Sequence, residues 1–262
     1  MSVSSILRIV AFSICQGAAW CQPVTAAPLI RFAAEDWPPF ISKQSPSEGL
    51  SGAVVSAVFE RIGYQVIFNY FPWKRVIESG LGDARYAGFL PVWRNREREQ
   101  LCHFSVPLSS SQLVLAYLKD QPLRASSVPD LKNMKIGTVS GYANDEQFDE
   151  LAARGGLTVE PGVSDAMNLK KLLLKRFRAI VIERRVLQHL METDITKLER
   201  ERIAVNDAVF KQRPLHVCFK RNAEGLALQK QFNDAAREVD IVRLERDYWQ
   251  QLGQSAEPLS AH

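Results

Sequence analysis

Residues 29–92 read LIRFAAEDWPPFISKQSPSEGLSGAVVSAVFERIGYQVIFNYFPWKRVIESGLGDARYAGFLPV, and this stretch decides the fold. Residues 29–34 are a short apolar run of strand length. Residues 52–62 then set Val54, Val55, Val58, Phe59 and Ile62 on one helical face, and Gly63 supplies the stop. Residues 65–70 form a second strand closed off by Pro72, a short helix through Val76 and Ile77 runs to Gly80, and residues 87–92 form a third strand. Strands alternating with helices are the grammar of a parallel α/β sheet, because a parallel neighbour is reached only through a crossover long enough to hold a helix.

The same grammar resumes downstream. Residues 112–118 read as a strand, 128–133 as a polar loop, 135–139 as a strand and 144–154 as a helix opening on Asn144, Asp145 and Glu146. Acids in a first turn suit the positive end of a helix. A strand at 157–159, a basic-faced helix at 165–175, a buried strand at 179–182 and a helix to Glu192 follow. A last strand at 215–219 precedes helical residues 225–252, with a break near Asp240. Two such units in 262 residues predict an α/β protein of two lobes, each a mostly parallel sheet flanked by helices, with a cleft between them. The expected boundaries are lobe 1 at 27–117, lobe 2 at 118–211, and a return into lobe 1 with the C-terminal helices at 212–262.

Upstream of the first strand the composition changes. Residues 1–26 carry one charge, Arg8, then an apolar run at 9–19 and the small ending Val24-Thr25-Ala26, which is the form of a secretory signal peptide. The apolar run is shorter than the roughly 20 residues that span a bilayer. The expected mature chain therefore begins at Ala27 and is soluble in the periplasm; an uncleaved anchor or a buried N-terminal helix is the alternative. Trp20 stands where a lipoprotein signal needs a small residue, which argues against a lipid anchor on Cys21. Cys15 and Cys21 leave with this segment, so Cys102 and Cys218 remain in a compartment that permits disulfides. Both sit among apolar residues, and a bridge and two buried thiols are both open.

Composition narrows the functional classes. Hydrophobic residues at 46% are enough for a real core, which excludes a disordered chain. The net charge of +4 comes from bases interleaved with acids, as at 95–100 and 197–202, so no nucleic acid partner is expected. No zinc-ligand spacing, phosphate loop or nucleophile elbow occurs, so neither metal nor cofactor nor catalytic residue is expected, and the chain is read as a monomer.

Particular segments carry more. DWPPF at 36–40 follows the first strand, FPWKR at 71–75 follows the second, and PVWRNREREQLCHFSVP at 91–107 runs from the third. KIGTVSGY at 135–142 and AIVIER at 179–184 lie in the second half. In this order they resemble extracellular solute-binding protein family 3, the amino-acid-binding class of periplasmic proteins that serve ABC transporters, over about residues 29–249. The resemblance implies the two-lobed periplasmic-binding-protein-like (type II) fold and a small-molecule ligand, an amino acid or small carboxylate. It implies that Arg98 clamps the ligand's carboxylate, and a guanidinium's planar donor fork suits that task. Trp37 would cover the ligand, Trp73 would wall the pocket, and Thr138, Ser140 and Tyr142 with free backbone N–H groups at the following helix start would complete the anion's hydrogen bonds. Glu183 would hold the ligand's amino group.

The sequence also departs from the family. Ala87 and Arg178 replace a common Asp, Asn95 stands where Thr is frequent, and Pro91 and Trp93 occupy positions where amino-acid binders offer hydroxyls. These changes put ligand identity in question and leave the fold intact. The expected activity is capture without bond-making, in partnership with an inner-membrane ABC permease or a sensor. The resemblance also extends to cyclohexadienyl dehydratases, for which Glu183 and His103 are the general-acid candidates.

Overall fold

The computed structural model describes residues 26–253, so the signal segment expected at 1–26 lies outside them apart from Ala26. In the first half, β1 (Leu29–Ala34), β2 (Gln65–Tyr70) and β3 (Gly88–Trp93) alternate with α1 (Leu50–Arg61) and α2 (Trp73–Gly82). The short helix α3 (Arg96–Glu99), the short strand β4 (Cys102–Phe104) and the long strand β5 (Ser109–Leu118) lead into the second half. There β6 (Lys135–Val139), α4 (Glu146–Ala153), β7 (Thr158–Gly162), α5 (Asp165–Leu173), β8 (Ala179–Glu183), α6 (Arg184–Thr193), α7 (Lys197–Glu201) and β9 (Ile203–Asn206) follow. Strand β10 (Gln212–Lys220) returns, and α8 (Ala223–Ala236) and α9 (Ile241–Gln251) close the described chain.

The strands run in the order β2-β1-β3-β10-β5-β8-β6-β7, with β4 on β10 and β9 on β5. Parallel pairing holds β1 to β2 from Leu29↔Gln65 to Ala34↔Tyr70 and β1 to β3 in one half, and β6 to β7 and β8 in the other. Between the halves lie two antiparallel strands: β5 gives Ser109–Gln112 to β10, then turns Leu113–Ala116 toward β8. The outbound and returning strands are therefore paired where the two α/β units join, the place from which one unit can swing against the other.

The first half is packed as its apolar spacing requires. Val54, Val55, Val58 and Phe59 of α1 are all fully buried. Phe59 meets Phe32 of β1 at 5.6 Å and Phe232 of α8 at 5.3 Å between ring centroids, within the range where aromatic pairs attract. At Gly88 a Cβ would lie 1.9 Å from the carbonyl oxygen of Cys218, so β3 approaches β10 this closely only because the side chain is absent. Asp240, the break read at the C-terminus, caps α9 by accepting from the backbone N–H of Arg243.

The elements that escaped sequence reading are the short ones. β4, β9, α3 and α7 have three to five residues each, too few to show a hydrophobic period. The helix read from residue 144 begins at Glu146, because Asn144 is held before it by Asp149, which accepts from its backbone N–H and its side-chain amide at 2.8 Å each.

Cys102 and Cys218 are joined in a disulfide across the adjacent strands β4 and β10, with Cα atoms 5.1 Å apart and 116 residues of chain between them. Closing so long a loop removes denatured-state freedom on the order of 4–5 kcal/mol. Denatured, unreduced protein exported to an oxidising compartment is expected to take up no alkylating reagent at these positions, and reduction should lower the melting temperature by several degrees. Two alkylated cysteines without reductant would refute the bridge.

Candidate functional site

The three parallel strands of the first half end on one side of the sheet, and a crevice beyond such carboxyl ends is where open α/β sheets bind ligands. Glu35 and Trp37 follow β1, Trp73 opens α2 after β2, and Trp93 and Arg98 follow along β3 and α3. The second half faces them with Gly141–Ala143 after β6 and with Asp165 at the start of α5.

Arg98 is at the centre. Asn95 caps α3 by accepting from the backbone N–H of Arg98 at 2.8 Å, which turns the side chain inward, and the residue is only 7% exposed. Its Nη1 donates to the carbonyl of Trp93 at 3.0 Å and its Nη2 to that of Gly141 at 3.5 Å, while the guanidinium carbon lies 5.3 Å from the centroid of the Trp73 ring. Among the described residues no carboxylate forms an ion pair with it. Burial lowers its pKa to about 10, opposed by Glu97 and Asp149 at longer range. A second guanidinium, Arg213 of β10, lies 4.5 Å over Trp93 and donates to the carbonyl of Ala143 at 3.0 Å. Its pKa is likewise lowered by burial to about 10.

Other bonds join the halves across the cleft. The indole N–H of Trp73 donates to the Gly141 carbonyl at 2.8 Å, that of Trp37 to the carboxylate of Asp165 at 3.1 Å, and the hydroxyl of Tyr142 to Glu35 at 2.5 Å. Gly141 has a φ of +82, a backbone state that suits glycine, and a Cβ there would sit 3.3 Å from the Trp73 ring. At the rim Arg96 and Glu146 form an exposed ion pair at 2.9 Å. A cavity of about 20 Å³ is walled by Glu35, Trp37, Trp73, Trp93, Arg98 and Tyr142. That is room for about one water. Arg98 also faces a wider crevice of about 290 Å³ bordered by Glu97, Gly141 and Asp149.

The half-buried Glu35 and the buried Asp165 and Glu183 are shifted toward neutrality. Burial raises Glu35 to about 7, against the lowering effect of the Tyr142 bond, and the nearby charges of Asp165 and Asp36 add to the rise. Burial also raises Asp165 to about 7, the Trp37 bond opposing it. Glu183 reaches about 7 by burial despite bonds from the N–H groups of Val186, Gln112 and Arg185.

Residues 30–240 match the model of the bacterial extracellular solute-binding proteins, family 3. The chain belongs to that family. No curated protein matches its sequence. Solved structures show the fold: an ancestral arginine-binding protein bound to arginine aligns at 18% identity and a TM-score of 0.70, over 87% of this chain and 99% of that one. A histidine kinase sensor domain similar to periplasmic binding proteins aligns at 15% identity and 0.73, over 89% and 99%. An ancestral amino-acid-binding protein, a precursor of cyclohexadienyl dehydratase, aligns at 18% and 0.65, over 84% and 95%.

Within this family member, Trp37, Trp73, Arg98 and Tyr142 converge on one cavity. Thr138 and Ser140 do not line it: the Thr138 carbonyl accepts from Asn168, and the Ser140 N–H donates to the Gly162 carbonyl. At the helix start beside them Asp149 takes the Asn144 N–H and Asp145 takes that of Phe148. Glu183 is 2% exposed and caps α6, accepting from Arg185 at 2.5 Å, Val186 at 3.0 Å and Gln112 at 3.2 Å. An acid at the end of an apolar strand is explained by the helix that starts there. His103 lies on β4 beside Arg94, Glu99 and Arg221, in a surface groove away from this cavity. The site residues that sequence reading missed are Glu35, Asp165 and Arg213. Glu35 was findable as the residue next past β1, Asp165 reads as an ordinary first-turn acid, and Arg213 carries no signal.

The acid shifts set the pH response of stability. Glu35, Asp165 and Glu183 bind protons at about 7 in the folded state and at 4.5 or 3.8 when unpaired, so folding takes up protons and stability rises as pH falls through 7. His216, lowered by burial, opposes this only as pH falls through its ordinary value of 6.5. The melting temperature is expected to rise between about pH 8 and about pH 6, and to rise less in the double variant Glu35→Gln/Asp165→Asn. A wild-type melting temperature that falls over this interval would contradict these environments.

Proposed function

We propose that this protein captures a small polar metabolite bearing a carboxylate, an amino acid or a close relative, outside the cytoplasmic membrane and presents it to an ABC transporter. The observation that carries this is Arg98, a buried guanidinium at a parallel strand end with carbonyl oxygens, and no carboxylate, on its donors. When the halves part, the donor on Gly141 is released, and a ligand's carboxylate replaces a neutral acceptor with a charged one, roughly doubling the strength of the bond. Family membership, the arginine held by a protein of the same fold, and the form of residues 1–26 support the reading. Closure over the ligand is favoured only by the ligand's differential affinity for the closed state.

A thermal-shift screen of amino acids and small carboxylates identifies the ligand, since binding to the native state alone raises the midpoint. Truncating a buried partner of a carboxylate costs roughly 2–5 kcal/mol, so Arg98→Ala should weaken the best hit roughly thirtyfold to several thousandfold by calorimetry. Arg94 is exposed and pairs with Glu99 at 2.6 Å, so Arg94→Ala should bind like the wild type. An Arg98→Ala protein with wild-type affinity would overturn the proposal.

A further inference from the structure

Arg98 sits on an arch, residues 94–101, that leaves the sheet at the end of β3 and rejoins it at β4. Helix α3 within it has four residues, too few to be stable by itself. The backbone bonds of the arch are local, from the N–H of Glu99 to Asn95, of Gln100 to Glu97 and of Leu101 to Arg98. Among the described residues 94–102 only Arg98 and Cys102 are buried. They are four apart and face the same way, since both line the crevice of about 290 Å³. Strand β4, which receives the arch, has three residues and pairs with β10, Cys102 opposite Lys220 and Phe104 opposite Cys218. The disulfide runs from Cys102 to Cys218, two residues along β10 from the register partner of Cys102, so it staples the two strands diagonally against both sliding and separation. Cys218 is fully buried, and β10 is also paired there with β3, opposite Phe89. Arg221, just past β10, adds a second tie by donating to the carbonyls of Glu99 at 2.6 Å and Cys102 at 3.4 Å.

We infer that Cys102 and Cys218 are positioning residues for Arg98: their bridge holds the far foot of the arch on the sheet, and with it the guanidinium in the cleft. This rests on the reading of Arg98 as the carboxylate anchor. An exposed segment with local bonds and few buried side chains opens at low free energy, and a three-residue strand does little to prevent it. The bridge removes the opening in which β4 leaves β10 and the arch turns outward. The guanidinium itself is held in its own half by one bond, to the Trp93 carbonyl, and by the Trp73 ring, so its place depends on where the arch is fixed. A disulfide that serves global stability alone acts by restricting the denatured chain and leaves the native placement of Arg98 unchanged. One that positions a binding group acts within the folded state, by limiting where that group goes.

The test compares the oxidised wild type, the wild type reduced with TCEP and desalted, and the double variant Cys102→Ala/Cys218→Ala. Cys102 borders a surface groove of about 370 Å³ together with His103 and Arg221, which gives the phosphine a way in. Phenylglyoxal labelling well below the melting temperature, read by peptide mass spectrometry, should modify Arg98 at least about tenfold faster in both bridge-free forms than in the oxidised one. Arg94 and Arg96, already exposed, should label alike in all forms, and Arg185, buried in the other half, should stay protected. Calorimetry with each of the common L-amino acids should show that any which binds the oxidised form binds both bridge-free forms at least about tenfold more weakly, or 1.4 kcal/mol. The reduced wild type keeps the test open if the double variant does not fold, and if no amino acid binds, the labelling decides. Arg98 protected alike in all forms overturns the inference. So does faster labelling of Arg98 and Arg185 together, which marks general loosening. Arg98 freed with affinity unchanged overturns it as well: if Arg98→Ala nonetheless weakens binding, the carboxylate reading stands, and if Arg98→Ala binds like the wild type, that reading falls too.

Discussion

The cleft is organised by one contact: the guanidinium of Arg98, buried over the Trp73 ring with its donors on the carbonyls of Trp93 and Gly141. Taking a guanidinium out of water is costly unless its donors are met, and here two of the five are met by backbone oxygens, one from each half. Everything around it serves that arrangement. Asn95 turns α3 so that Arg98 points inward, and the left-handed backbone at Gly141 lets the facing carbonyl come close to Trp73 and Arg98 together. Arg213 repeats the device one step away, stacked on Trp93 and bonded to Ala143.

The cleft is consequently held by backbone carbonyls, the carboxyls of Glu35 and Asp165 and aromatic faces, with an exposed ion pair at the rim. A neutral hydrogen bond contributes about 0.5–1.5 kcal/mol net, and an exposed ion pair about 0–1 kcal/mol. Contacts of this size are weak enough to be exchanged for a charged ligand and strong enough to organise the pocket beforehand. The hinge suits such an exchange, since β5 and β10 are paired over Ser109–Gln112 where the halves meet.

Much of the fold was legible because its long elements carry clear periods: β1, β2 and β6 fall at the bounds that apolar runs indicate, and α1 buries the face that Val54, Val55, Val58 and Phe59 define. The wall of the cavity was legible only where a strand end and a distinctive residue coincide, as for Trp37, Trp73 and Arg98. Glu183 shows the limit of that rule. Its position at a strand end fits a ligand contact and a helix cap equally well in sequence, and only the structure shows the three backbone N–H groups that reach it. Asp165 shows the reverse, since a first-turn acid reads as helix chemistry and only the opposing Trp37 reveals that it faces the cleft. Arg213 was hidden because β10 pairs with partners about 100 residues away in sequence, so nothing local marks the neighbours of its side chain.

The measurement that bears most directly on this account is a crystal structure of the protein with the compound that most raises its melting temperature. A carboxylate oxygen of that compound is expected within hydrogen-bond distance of the Arg98 guanidinium, between the two halves. A ligand bound elsewhere, or one bound in the cleft while Arg98 donates only to the carbonyls of Trp93 and Gly141, would contradict it.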